Sequence, residues 1–310
     1  MQVLVTGGTG YLGRAVVRAL AARGHRVVLY ARTATGSLLP GRPVDGDIRD
    51  SDAVHAAAAG CDAIVHMAAL VSLWRRRTRD FDEVNVNGLR HVLAAARTAN
   101  VRKVIYTSSF LALPPSDGGD PLQANDYQRT KVVAEQVAIR AERAGVPLIR
   151  LYPGVVYGPG ELTEGNLVGR LVRDHLGRRL PGVIGSRRLW SCSYIADVAR
   201  AYVEALERGR PGTQYRLGGE NVPQMRVFEI VRQLTGRALP RRIPYAVAGA
   251  LGAADEWRAR LTGATPRLTR GTVDIFRHDW ALDSTAAIRD LDYSITPLAV
   301  GIANVIKGLS

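Results

Sequence analysis

Fifteen residues near the start of the chain, VLVTGGTGYLGRAVV (Val3 to Val17), constrain its fold more tightly than any other stretch. An apolar run of strand character stops at Gly7, further glycines follow at Gly10 and Gly13, and an alanine- and valine-rich helical pattern begins at once. A strand that turns into a helix in this way aims backbone amides and the positive end of the helix at one point. The glycines keep that point free of side chains, so it can receive a pyrophosphate. The turn predicts a dinucleotide site built by Gly7, Thr9, Gly10, Tyr11, Leu12 and Gly13.

The first half of the chain keeps this alternation. VLVTG, RVVLYA, DAIVHMA, VRKVIYTSS and VPLIRLY are rich in valine and isoleucine, as strands buried on both faces are. Between them GRAVVRALAARG, SDAVHAAAAG, FDEVNVNGLRHVLAAARTAN and NDYQRTKVVAEQVAIRAERAG read as helices, several stopping at Gly or Asn. Strand, helix, strand repeated with right-handed crossovers gives an α/β fold, a doubly wound parallel sheet. Beyond Pro153 the rhythm loosens into the turn-rich YGPGELTEGN, the helix-like LVGRLVRDHLG and RVFEIVRQLTG, and the strand candidate TQYRLGG. The expected organisation is a dinucleotide-binding domain over 1–152, rejoined by a segment 192–218, with a smaller interleaved C-terminal substrate lobe from 153–191 and 219–310.

With 310 residues, 46% of them hydrophobic, the chain can bury a full core. Its N-terminus, MQVLVTGGTG, has no signal-peptide character, and no run nears the roughly 18 apolar residues of a membrane span, so a cytoplasmic protein without a membrane partner is expected. A net charge of +14 can mark a nucleic-acid binder, but the arginines are scattered, and WRRRTRD and LPRRIP lack interleaved stacking aromatics. No nucleic-acid partner is expected. Cys61, Cys192 and the six histidines (His25, His55, His66, His91, His175, His278) show no ligand spacing, so no metal site is expected either.

Two further features concern chemistry. The second strand ends VVLYARTATGS, with no acid to take ribose hydroxyls and with Arg32 in reach of a 2′-phosphate, which favours NADP over NAD. Arg14 either assists or is an exposed helix residue. The chain holds three lysines beside thirty-nine arginines, and one of them, Lys131, follows Tyr127 by four residues in NDYQRTKVV. Positions i and i+4 share a helix face. An ammonium beside a phenol favours the phenolate, and unlike a planar guanidinium it is a compact charge that can also bond ribose hydroxyls.

Taken in order, TGGTGYLG, GDIRD, VHMAA, NVNGLRHVLAAA, YTSSF, YQRTK, LYPGVVYGPG and SYIADVARAY resemble segments of the extended short-chain dehydrogenases/reductases. This is the NAD(P)-dependent epimerase/dehydratase superfamily, and the similarity is greatest to its dihydroflavonol reductase-like and 3-beta-hydroxysteroid dehydrogenase-like members. The resemblance implies a Rossmann fold in which Tyr127 is the catalytic acid/base, Lys131 lowers its pKa and holds the nicotinamide ribose, and Ser109, rather than Ser108, polarises a substrate carbonyl. It places Asp47 and Ile48 at the adenine, Ala68 and Ala69 beside the cofactor, and Tyr152, Pro153, Gly154 and Val155 at the nicotinamide carboxamide. Asn85 and Asn87 fall in a buttressing helix, either as packing or in catalysis.

The activity implied is that of an NADP-dependent oxidoreductase, a ketoreductase acting on the carbonyl of a mainly apolar, cyclic small molecule, with a homodimer as the expected assembly. The competing readings are a nucleotide-sugar epimerase/dehydratase and a non-catalytic NADP-binding regulator. In GSRRLWSCSYIADV, Trp190 stands near where epimerases bring an arginine, and Arg187 and Arg188 come slightly early, which favours the reductase. Leu70, Val71, Leu73, Trp74 and Phe110 to Pro115 either line the pocket or pack, and the same choice holds for Tyr157 and Tyr194.

Overall fold

The computed structural model describes residues 1–72 and 74–309, so the pocket role expected of Leu73 lies outside the described residues. The first half runs β1 (Gln2–Thr6), α1 (Tyr11–Ala22), β2 (Arg26–Ala31), β3 (Arg42–Asp45), α2 (Ser51–Ala58), β4 (Ala63–His66), α3 (Arg79–Phe81), a π-helical stretch Asp82–Asn87, α4 (Gly88–Thr98), β5 (Lys103–Thr107), a 3-10 turn Phe110–Ala112, α5 (Asp126–Arg143) and β6 (Leu148–Pro153). The second continues β7 (Val155–Tyr157), α6 (Leu167–Leu176), β8 (Leu189–Tyr194), α7 (Ile195–Glu207), β9 (Gln214–Leu217), β10 (Glu220–Pro223), α8 (Met225–Thr235), α9 (Tyr245–Thr262), α10 (Arg270–Ile275), α11 (Thr285–Leu291) and α12 (Leu298–Lys307).

Seven strands pair in parallel in the order β3-β2-β1-β4-β5-β6-β9. The order reverses between β1 and β4, and the carboxyl ends of those two strands open the crevice where doubly wound sheets bind ligands. Alternate residues of β1 feed opposite faces: Val3 and Val5 pack with Val17 of α1, Tyr202 of α7 and Leu291 of α11, whereas Leu4 packs with Val54 of α2, Leu89 of α4 and Ala134 of α5. A second sheet, β10-β8-β7, gathers a separate core around Tyr157, Trp190, Phe228 and Ile302.

The structure differs from the sequence expectation at the lobe boundaries. The return to the large sheet begins at Ile195, not 192, because Leu189–Tyr194 pairs with β7 and β10 in the small sheet. Residues 285–293, expected in the substrate lobe, lie on the dinucleotide side instead, where Ala287, Leu291 and Tyr293 fill the core beside α7 and β9.

Helix α5 is locked to the sheet by buried charge. Glu135 of α5 and Arg150 of β6 form an ion pair at 2.6 Å, and Tyr152 donates to the same carboxylate oxygen at 2.5 Å. Ser108 donates to the other oxygen at 2.6 Å, and Arg150 also reaches Glu142 at 3.0 Å. A buried pair survives desolvation only when its remaining lone pairs and protons are satisfied, as here. Arg150→Met, which strands the carboxylate, is expected to cost about 3–5 kcal/mol in urea unfolding. Replacing the exposed Arg232 of α8 by Met should cost less than about 0.5 kcal/mol in the same assay.

Candidate active site

The glycine turn is built by close backbone approach. Gly7 has φ +72°, and a Cβ there would collide with the backbone of Met67 and Ala68 at the end of β4. At Gly13 a Cβ would collide with the Gly7 carbonyl. Gly10 offers no side-chain cap to α1, and the first turn of that helix holds no acid, so its leading amides and positive end are left for an anion. This cradle fits a dinucleotide pyrophosphate. Thr9 and Leu12 are partly exposed along it. The Tyr11 side chain turns away, donating to the Gly158 carbonyl at 3.0 Å, which leaves only its backbone for a cofactor. Arg14 holds the turn from outside, through the Thr9 carbonyl at 3.0 Å and Glu161 at 3.1 Å.

At the adenosine end, Arg32 is exposed. Both nearby acids are engaged: Asp45 accepts from the amide and hydroxyl of Thr35, and Asp47 pairs with Arg49 at 2.6 Å, which holds its carboxyl below the usual range. Ile48 is buried, and its carbonyl meets His91 Nδ1 at 3.0 Å. Ala68 and Ala69 line the end of β4, partly exposed. Strand alternation puts the Tyr152 ring on the α5 face with Arg150, and its hydroxyl is spent on Glu135 and Gln214, so of Tyr152 only the backbone remains to meet a carboxamide with Pro153, Gly154 and Val155.

The tyrosine, serine and lysine converge. Asn125 caps α5 through the Gln128 amide at 2.8 Å, and Tyr127 stands in the first turn, half-buried. Ser109, in the segment after β5, lies beside Tyr127 and accepts from the Leu111 amide at 3.2 Å. Ser108 is turned the opposite way, onto Glu135, so of the two serines Ser109 is the one that meets the phenol. Lys131 is buried, donates to the Thr107 carbonyl at 3.1 Å and lies over the Tyr106 ring, 5.7 Å from its centroid.

Burial pushes Lys131 down to about 8, with the Glu135 charge opposing the fall. Burial pushes Tyr127 up to about 12, with the Ser109 hydrogen bond opposing the rise. Desolvation dominates at the phenol, and the ammonium is held by the Thr107 carbonyl and the face of the Tyr106 ring.

Two features show their partners only in three dimensions. Asn85, buried in the π-helical stretch, accepts from the Leu70 amide at 2.7 Å and donates to Thr130 Oγ1 at 3.0 Å, tying the loop after β4 to the catalytic helix. Asn87, by contrast, accepts from Arg90. His66 bonds Thr6 Oγ1 at 2.7 Å and stacks on Tyr106 at 6.0 Å, and burial followed by the Lys131 charge brings its pKa down to about 3. Only the register Thr6↔His66↔Tyr106 across three strands reveals this neutral column beneath Lys131.

Among the expected lining residues, Leu111 and Ala112 are buried packing, and Phe110 sits edge-on to Trp280 at 5.5 Å. Tyr157 is buried in the small-sheet core, and Tyr194 is bonded to Asn304. Trp74 lines a recess of about 430 Å³ with Arg75, Arg76, Asn125 and Asp126, closed on the far side by α9.

A glycine-cradled helix at the switch point of a parallel sheet, with serine, tyrosine and lysine at the next strand end, defines an extended short-chain dehydrogenase/reductase. Comparison with known proteins agrees. Residues 3–218 match the NAD dependent epimerase/dehydratase family. The chain is 33% identical over 298 residues, 87% of each protein, to the 2-alkyl-3-oxoalkanoate reductase of Stenotrophomonas maltophilia. It is 30% identical over 313 residues, 95% of this chain and 92% of the relative, to the 4-hydroxy-2-methyl-3-oxo-4-farnesyl-3,4-dihydroquinoline-1-oxide ketoreductase of Stigmatella aurantiaca. The crystal structure of gox2253 superposes with a TM-score of 0.82 at 31% identity, covering 99% of this chain and 97% of that one. The protein belongs to the NAD dependent epimerase/dehydratase family and is an enzyme of its oxidoreductase chemistry, dependent on a nicotinamide dinucleotide.

With so few lysines, labelling lysine side chains with 13C should give a resolved Lys131 resonance in NMR. Its midpoint is expected near pH 8 in the free protein, ammonium below and amine above, well under the ordinary lysine value of about 10.4. The resonance should vanish in Lys131→Arg. Asn85→Ala, which releases the Leu70 loop from α5, should lower turnover by about a hundredfold through misplacement of the reacting groups.

Proposed function

We propose that this enzyme is an NADP(H)-dependent reductase of a mainly apolar, cyclic ketone, running the alcohol oxidation in reverse. The observation that carries the reading is the placing of Ser109 beside Tyr127, with Lys131 one helical turn on, next to a glycine cradle that fits a dinucleotide.

When bound, the nicotinamide supplies or accepts the hydride. Tyr127, kept neutral by its high pKa, holds a proton at its hydroxyl and delivers it to the carbonyl oxygen as charge develops there. Ser109 offers a second hydroxyl to the same oxygen. Lys131 would hold the nicotinamide ribose through Nζ, and its charge favours the phenolate left after proton delivery. Asn85, through Leu70 and Thr130, keeps these groups in register.

Three observations support the finer assignment. Arg32 forms no ion pair among the described residues, while Asp45 and Asp47 are engaged, which suits a 2′-phosphate rather than free ribose hydroxyls. Arg188, a candidate clamp for a sugar diphosphate, is held by Asp117 at 3.2 Å and Asp279 at 3.8 Å. Trp190 is buried against Phe276. The name of one relative, a ketoreductase of a ring ketone, supports a cyclic substrate, and that of another, a reductase of oxoalkanoates, supports carbonyl reduction alone.

The test is NADPH consumption with a panel of aromatic and cyclic ketones. Turnover is expected, with Tyr127→Phe lowering it about 10²–10⁴-fold. Lys131→Arg should keep the fold and lose most turnover, Lys307→Arg should change little, and Arg32→Glu should shift preference from NADPH towards NADH. Turnover of a UDP-sugar without net cofactor consumption would select the epimerase instead. Tight NADPH binding with no turnover and no effect of Tyr127→Phe would leave a non-catalytic binder.

A further inference from the structure

Helix α9 has one face that nothing in the chain covers. Its buried residues are Ala248, Gly252 and Ala259, small groups that let it lie close on the segment before α10, where Gly252 meets the backbone of Thr269 and Arg270. On the opposite side Val247, Leu251, Trp257 and Leu261 are 50%, 54%, 66% and 66% exposed. At 100° per residue they fall in one continuous arc, with only alanines and Arg258 between them.

The charges around this face are one-sided. Asp255 and Glu256, the acids of the helix, lie off the apolar arc and are engaged: Asp255 by Arg258 at 2.7 Å and by the amides of Arg267 and Leu268, Glu256 by Arg270 at 3.1 Å. Arg241, Arg242 and Arg267 are exposed, and none forms an ion pair among the described residues, while Arg260 lies on the recess side with Glu256. Over 237–277 there are eight arginines against three acids.

We propose that α9 is where the enzyme rests on an anionic lipid surface, with Val247, Leu251, Trp257 and Leu261 in the headgroup boundary and the flanking arginines on lipid phosphates. Binding of this kind scales with buried apolar area plus attraction to anionic lipid. A second copy of the chain is the poorer occupant, because a two-fold contact through this patch sets one ring of unpaired arginines against another. No helix among the described residues is long and apolar enough to cross a membrane, so α9 lies on the bilayer and does not span it.

The position has a use. Glu256, Ala259 and Arg260 of the same helix wall the recess that reaches Asn125 and Asp126, the two residues before Tyr127. An apolar ketone dissolved in the bilayer would enter from the surface the helix touches. That last step rests on the ketone reading, but docking does not, and it is measured without turnover.

The test is co-sedimentation of the full-length protein with phosphatidylglycerol vesicles and with phosphatidylcholine vesicles, followed also by tryptophan emission. Binding to phosphatidylglycerol, a blue shift and weakening by salt are expected. The double variant Trp257→Glu with Leu261→Glu should partition at least about tenfold less while binding NADPH as before, and Arg241→Glu with Arg242→Glu should also weaken binding. Failure of the unmodified protein to bind phosphatidylglycerol at low salt, or undiminished binding by the Trp257/Leu261 variant, overturns the proposal. It also falls if vesicles have no effect and that variant converts a dimer to a monomer in analytical ultracentrifugation, since a second copy then covers the face.

Discussion

The buried carboxylate of Glu135 is the contact on which the rest of the site depends. Tyr127, Lys131 and Glu135 follow at intervals of four on α5, so phenol, ammonium and carboxylate line one face of one helix. By taking Arg150 and Tyr152 from β6, the carboxylate fixes the height and rotation of that helix against the sheet. By taking Ser108, it settles which of two adjacent serines faces Tyr127. Its residual charge also keeps the buried ammonium of Lys131 from falling further. Burial charges a cost to each of these groups alone, and together they satisfy one another.

Charge and solvation also set the protonation of the site. Tyr127 holds its proton firmly, and Lys131 sits among a carbonyl, an aromatic face and a distant carboxylate. The neutral His66 column adds no competing positive charge beneath it. An arginine at 131 would bring a charge that never deprotonates and a planar fork too wide for this space, which is the physical reason a chain otherwise written in arginine keeps a lysine here.

Much of this was readable from the sequence because it rests on local periodicity and spacing. The strand-glycine-helix turn, the five valine-rich strands and the i, i+4 tyrosine and lysine each depend on a few consecutive residues. What stayed hidden depends on partners far apart in the chain. RPVD became β3 only because β2 offered an open edge. Residues 285–293 gave no sign of crossing to the dinucleotide side. Tyr152 lay in the expected segment, but its ring direction follows from strand register, which the motif does not contain. Asn85 shows its role only when the π-helical turn carries it beneath Leu70 and against Thr130. Helix α9 carries no such signal, because small residues face inward and large apolar ones outward, the reverse of the pattern by which surface helices are recognised.

The close approach of α10 to the start of α5 has its own consequence. Gly271 has no room for even a methyl group against the Ala124 carbonyl, so the recess wall and the residue before the Asn125 cap touch backbone to backbone. A molecule too bulky for the recess cannot push α10 outward without dragging the cap, and the first turn that holds Tyr127 moves with it. Under the proposed function, crowding in the recess would be felt first at the aim of the Tyr127 hydroxyl.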